Sequence, residues 1–169
     1  MPVTMAGNGY QKVQESVGLP VSNTLTAVVL GSDVTNNNAS ANTIADVTGL
    51  SFSVVSGNTY WFEFVIAYTA AATTTGSRWS INGPGSPTLL NYRSEYTLTA
   101  TSVTVNCATA YDTPSASNAT SLTAGNIATI WGIIKPSSDG TVIARFASEV
   151  SSSAIVAKAG SVLRYMQVA

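Results

Sequence analysis

From Leu50 to Tyr68, apolar side chains recur at every second position. Leu50, Phe52 and Val54 alternate with Ser51 and Ser53. After the "SGNT" at 56 to 59, Tyr60, Phe62, Phe64, Ile66 and Tyr68 take one side, and Trp61, Glu63, Val65 and Ala67 take the other. A period of two is the mark of a strand. Gly57 and Asn58 can supply the positive φ of a tight turn, so the segment predicts a β-hairpin.

The same grammar continues to the end of the chain. "RWSI" at 78 to 81 runs into "NGPGSP", where Pro84 and Pro87 mark a loop. "EYTLTATSVTVN" at 95 to 106 alternates with a change of register, which predicts a bulge or turn near Ala100. "NIATIWGII" at 126 to 134 stops at Lys135-Pro136, "SSDG" makes a turn, and "TVIARFASEV" places Val142, Ala144, Phe146 and Val150 on one face. "AIVAKAG" and "SVLRYMQV" form a terminal pair broken at Gly160. Eight or nine short strands from Ala45 onward, with no convincing amphipathic helix, predict an all-β fold: an antiparallel β-sandwich of jelly-roll topology over 45–169.

Residues 1–44 read differently. "QKVQESVG" at 11 to 18 suffices for two helical turns at most, "NTLTAVVL" at 23 to 30 suits one added strand, and "GSDVTNNNASANT" is a polar spacer. The expectation is a short N-terminal arm for attachment or subunit exchange, its strand joining the sandwich edge or a neighbouring subunit.

Composition narrows the function. Only 9% of the 169 residues are charged, 7 basic and 8 acidic, for a formal net charge of -1. An ordinary soluble domain carries about 25%. So little charge gives weak protection against association and favours life in an assembly. The basic residues are scattered singly, which argues against nucleic acid as a partner. No run approaches the ~20 apolar residues of a membrane span, and no secretory signal opens the chain, so the expectation is a protein made in the host cytoplasm with no membrane partner.

Candidate chemistry is sparse. Histidine is absent, which removes histidine-based catalytic triads and imidazole metal sites. The single cysteine, Cys107, forms no intrachain disulfide and reads as a small packed residue ending a strand rather than a nucleophile. The carboxylates are dispersed, and Asp33, Asp46, Asp112 and Asp139 neighbour turn-forming residues. No cofactor, metal site or catalytic residue is expected, and the chain is read as not an enzyme. Glu63 amid aromatic residues needs a partner to offset its desolvation. The strand-borne charges Glu63, Arg78, Arg93, Glu95, Arg145, Glu149 and Arg164 suit an Arg–Glu ladder, within one sheet or between subunits, and a ligand site is the further option. Trp79 and Tyr92, beside Arg78 and Arg93, are candidates for a glycan platform, with core packing as their other role.

Two stretches, "ADVTGLSFSVVSGNTYWFEFVIAYTAAATTTGSRWSINGP" at 45 to 84 and "IWGIIKPSSDGTVIARFASEVSSSAIVAKAGSVLRYMQV" at 130 to 168, resemble a β-domain of structural proteins of tailed bacteriophages. That family's domain closes tail, fibre and head-decoration proteins. The resemblance implies no active site, many copies per particle and self-association, commonly as a homotrimer. It places Arg145, Glu149, Lys158 and Arg164 at recurring polar positions, with Thr75, Gly76, Asn82, Gly83 and Pro84. A body with a short arm and no shaft fits a capsid decoration or cement protein on the outer surface of the virion head, bound to the major capsid protein. The alternative is a tail- or fibre-associated module that binds a host surface glycan. An unrelated β-sandwich enzyme or adhesin would be marked by a carboxylate pair in a cleft.

Overall fold

Tyr60–Ala70 alternates in burial at every position, with Phe62, Phe64 and Ile66 fully enclosed, so one side of this strand faces a core. The computed structural model describes residues 24–169, and the possible helical turns at 11–18 lie outside them. The described strands are β1 (Thr26–Val29), β2 (Val34–Asn36), β3 (Ala45–Val54), β4 (Tyr60–Ala70), β5 (Ser77–Asn82), β6 (Leu89–Thr99), β7 (Ser102–Ala108), β8 (Asn126–Lys135), β9 (Gly140–Ser148), β10 (Ile155–Ala157) and β11 (Val162–Gln167). No helix occurs among the described residues.

Every described pairing is antiparallel, and the strands form two sheets. The large sheet runs β1-β11-β4-β8-β6-β7, with β10 and β2 continuing beside β4. The small sheet runs β3-β9-β5. Pairing of β1 with β11, β3 with β9 and β4 with β8 is the nested order of a hairpin rolled into a jelly roll. The innermost pair departs from that order. β6 bonds to β8 in the large sheet and leaves the edge of β5 without a fourth strand.

The connection between β7 and β8, residues 109–125, fills that vacancy. Asn118 N–H donates to the Ser77 carbonyl (2.9 Å), Ser77 N–H to Asn118 Oδ1 (2.7 Å), and Asp112 N–H to the Ile81 carbonyl (3.0 Å). The loop therefore satisfies backbone groups that an open edge would expose. Its close approach needs Gly76, because a Cβ there would overlap the Asn118 carbonyl. Covered inside by the core and outside by the loop, Ser77 through Ile81 are all buried.

Aromatic rings fill the space between the sheets. Phe52 stacks on Tyr165 at 4.5 Å, Trp79 on Phe146 at 5.2 Å, and Phe62 meets Phe64 edge-on at 5.8 Å. Each enclosed ring contributes about 2–3 kcal/mol of burial.

β1 lies within 23–30 and pairs with β11 at the edge of the large sheet, one of the two placements expected for the added strand, and β2 adds a second, paired with β10. One expectation of layout is corrected. β10 and β11 do not pair with each other; both lie along β4, separated by a bulge in which Ala67 N–H donates to Ser161 Oγ (3.1 Å). Gly160, at φ 89°, lets the chain make that excursion.

Candidate assembly surface

Register fixes which side chains share the outer face of the large sheet. One row across it reads Ala27, Arg164, Glu63, Trp131, Arg93 and Cys107, from β1 to β7. The next reads Val29, Val162, Val65, Thr129, Glu95 and Val105. Ile133 and Trp61 lie to one side of these rows, and Ile127 and Val103 to the other.

β8 in the middle of this face has an inverted distribution of volume. Its inward positions are Ala128, Ile130, Gly132 and Ile134; its outward ones are Ile127, Thr129, Trp131 and Ile133. Trp131 is 45% exposed, and Ile127 and Ile133 are similarly open. Gly132 explains why the strand does not slip by one residue to bury its larger side chains. A Cβ at that position would collide with the Cα and Cβ of Tyr92 on β6. The result is a broad apolar face that the described chain leaves uncovered.

Four of its charges, those nearest Trp131, are paired within the chain, and Lys135 stands exposed at the end of β8. Arg164 on β11 binds Glu63 directly across from it on β4. Arg93 binds Glu95 two residues along β6 at 2.9 Å. Beside Trp131 lies a groove of about 460 Å³ lined by Asn91, Arg93, Cys107 and Thr109. Cys107 is exposed there, contrary to the packed position expected for it, because β7 is the edge strand and this is its outward side.

The remaining candidate residues lie elsewhere. Arg78 sits beneath the 109–125 loop and donates to the carbonyls of Asp112 (2.6 Å), Ser115 (3.0 Å) and Asn42 (3.3 Å). Burial pushes its pKa down, and Asp112 opposes that shift. Arg145 pairs with Asp46 (2.8 Å) and Asp112 (2.6 Å) rather than with Glu149. Sequence reasoning missed both aspartates, since Asp46 meets Arg145 only through the β3–β9 register. Glu149 anchors the start of β5 through its backbone, N–H to the Gly76 carbonyl at 3.0 Å.

Trp79 and Tyr92 cannot serve as a sugar platform. They are 0% and 4% exposed, with both rings in the core. The alternation of Trp79 and Ile81 with Arg78 and Ser80 carried that information, while their proximity to arginine pointed the other way. The Tyr92 hydroxyl lies within hydrogen-bond reach of the loop carbonyls of Thr113 (2.8 Å) and Ala110 (3.0 Å) and donates its one proton between them, tying the loop from the inner side. Burial raises the pKa values of Tyr68 and Tyr92, and pushes Tyr96 up to about 12. Between β10 and β11, hydrogen bonds from Lys158 and from the Ala159 amide hold Asp33 below the usual carboxylate range. Among the described residues, no group of three metal-ligating side chains comes together.

These features define an antiparallel jelly-roll sandwich whose small sheet has its β5 edge covered by the chain's own loop and whose large sheet leaves an apolar face open. No protein-family model matches the chain, and no curated protein matches it. Among solved structures it is similar to the crystal structure of the infectious bursal disease virus VP2 subviral particle, at 7% identity and a TM-score of 0.26. The match covers 96% of this chain and 45% of that one.

Proposed function

We propose that this chain is a non-enzymatic structural protein of a virus particle, a capsid decoration or cement protein of the tailed-phage type. The observation that carries the reading is the outer face of the large sheet: apolar, centred on Trp131, and crossed by charges already paired within the chain. Such a face suits burial against protein in an assembly. Residues 1–23 attach to the major capsid protein, and the sandwiches associate with one another. Packed DNA pushes outward on the shell, and a bridge between neighbouring capsid subunits adds buried area where the lattice is weakest. Oligomerisation multiplies the attachment, because each bound arm raises the effective concentration of the next.

Cryo-electron microscopy of particles bearing the full chain, and of particles offered a chain lacking residues 1–23, tests the reading. Density on the outer capsid surface, lost on deletion, is the expected result. Undiminished attachment of the shortened chain, or density at the tail alone, overturns it. A tail-associated, glycan-binding role has one supporting observation, the groove where Asn91, Arg93 and Thr109 flank the exposed Trp131. Glycan-array binding abolished by Trp131→Ala would favour that role.

A further inference from the structure

We infer that the outer face of the large sheet pairs with the same face of a second copy about a two-fold axis running along β8. The inference rests on reading this face as an assembly surface, and goes further by fixing its partner and geometry.

The charge order singles out that arrangement. In the row through Trp131, Glu63 lies one strand to one side and Arg93 one strand to the other. Two copies stacked face to face can be related by an axis across the strands or along them. An axis across the strands through Trp131 sets Glu63 over Glu63 and Arg93 over Arg93, which like-charge repulsion disfavours. An axis along β8 exchanges the two sides of the row. Each Glu63 then meets the second copy's Arg93, giving the alternating chain Arg164, Glu63, Arg93, Glu95 on both sides of the centre. Trp131, Ile133 and Ile127 fall on the axis opposite themselves, and Val162 comes over Val105. Packed sheets cross at roughly 30°, so this match is closest at the centre and relaxes toward the rim.

The dimensions suffice. Six strands about 4.8 Å apart span about 24 Å, and Ile127 to Ile133 covers about 20 Å along β8. With side-chain margins the footprint is on the order of 800 Å², the share one partner gives to a standard interface. Three further features agree. The four charges around Trp131 sum to zero, with Lys135 adding one positive charge at the far end of β8, the whole chain carries a formal net charge of -1, and an indole stands at the centre, where binding energy concentrates. A face used up in pairing with itself closes at two copies. This departs from the homotrimer that the phage resemblance implies.

The test uses the full chain in sedimentation equilibrium, with circular dichroism to show that each variant is folded. The wild-type chain is expected to dimerise, and Trp131→Ser to weaken dimerisation at least ~30-fold, the ratio expected on losing a hot-spot residue. The deciding arm uses Glu63→Arg and Arg93→Glu. Each alone sets like charges across the axis and should be monomeric. Mixed in equal amounts, the two should form a heterodimer, because every facing pair is again opposite in sign. Loss of the intrachain Glu63–Arg164 or Arg93–Glu95 pair cannot produce rescue in trans. A monomeric wild type, a trimer, a dimer indifferent to Trp131→Ser, or two single variants that fail to pair would each overturn the inference. Co-sedimentation with capsids is scored separately. A monomer that binds capsid removes the two-fold pairing and leaves the virion reading standing; a dimer that binds none does the reverse.

Discussion

Replacing Arg78 tests how the loop over β5 is held. Its guanidinium donates to two carbonyls of that loop, Asp112 and Ser115, and to the Asn42 carbonyl between β2 and β3, and the residue is only 6% exposed. A hydrogen bond from a charged donor contributes about 1.5–3 kcal/mol net, so three bonds set an upper limit of roughly 5–9 kcal/mol. Two effects reduce that. The longest bond, 3.3 Å to Asn42, is weak, and a loosened loop would let water reach the freed carbonyls. A loss of about 3–4 kcal/mol is therefore expected for Arg78→Ala, a large share of the roughly 5–15 kcal/mol that holds a domain folded. Arg78→Lys keeps the charge but cannot span the set, and about half the loss should remain. Urea unfolding gives the stability, and limited proteolysis within 109–125 reports on the loop itself. If Arg78→Ala costs under about 1 kcal/mol and leaves the loop as protected as before, the clamp is not what holds it.

Two further perturbations probe the same architecture. Gly76→Ala puts a methyl group into the Asn118 carbonyl and should cost about 1–3 kcal/mol, whereas Gly31→Ala meets nothing within 4 Å and should be near neutral; equal thermal shifts would contradict this. Tyr96 titrates at about 12 in the fold against 10.0 in the unfolded chain. Its folded pKa is the higher, so its contribution is intact below pH 10 and is lost as pH climbs toward 12, by about 2–3 kcal/mol. Tyr96→Phe should flatten that alkaline decline in denaturant-based stability, and an unchanged slope would refute the assignment.

Alternation made much of the fold legible. β4 is exposed on one side and buried on the other, so its period of two declared the hairpin and the core face together. β5 was harder to read. It is buried on both faces, and its second cover is a loop with no periodicity of its own, so nothing local marked Arg78 as a clamp. Arg145 shows the same limit: its aspartates sit about a hundred residues before it and about thirty before it in the chain, joined only by register and loop placement. Glu63 was readable as a carboxylate needing an arginine across the sheet; which arginine depended on β11 lying beside β4. Trp79 and Tyr92 show how a charged neighbour in sequence misleads, since adjacent residues on a strand face opposite ways.

"NIATIWGII" gives the strongest case for an external partner. A near-continuous apolar run of strand length reads as a strand covered on both faces. The described chain covers only one. It encloses the small members, Ala128 and Gly132, and leaves Ile127, Trp131 and Ile133 in solvent. Full burial of each side chain is worth about 1.5–3 kcal/mol, and with a little under half of each still exposed, roughly 2–4 kcal/mol goes unused in the monomer. Over β5 the chain supplies its own outer cover, the 109–125 loop with Arg78 beneath it. On the large sheet the described residues supply no second layer, and the opposed charges of Glu63 and Arg93 about Trp131 suit a second copy of the same face.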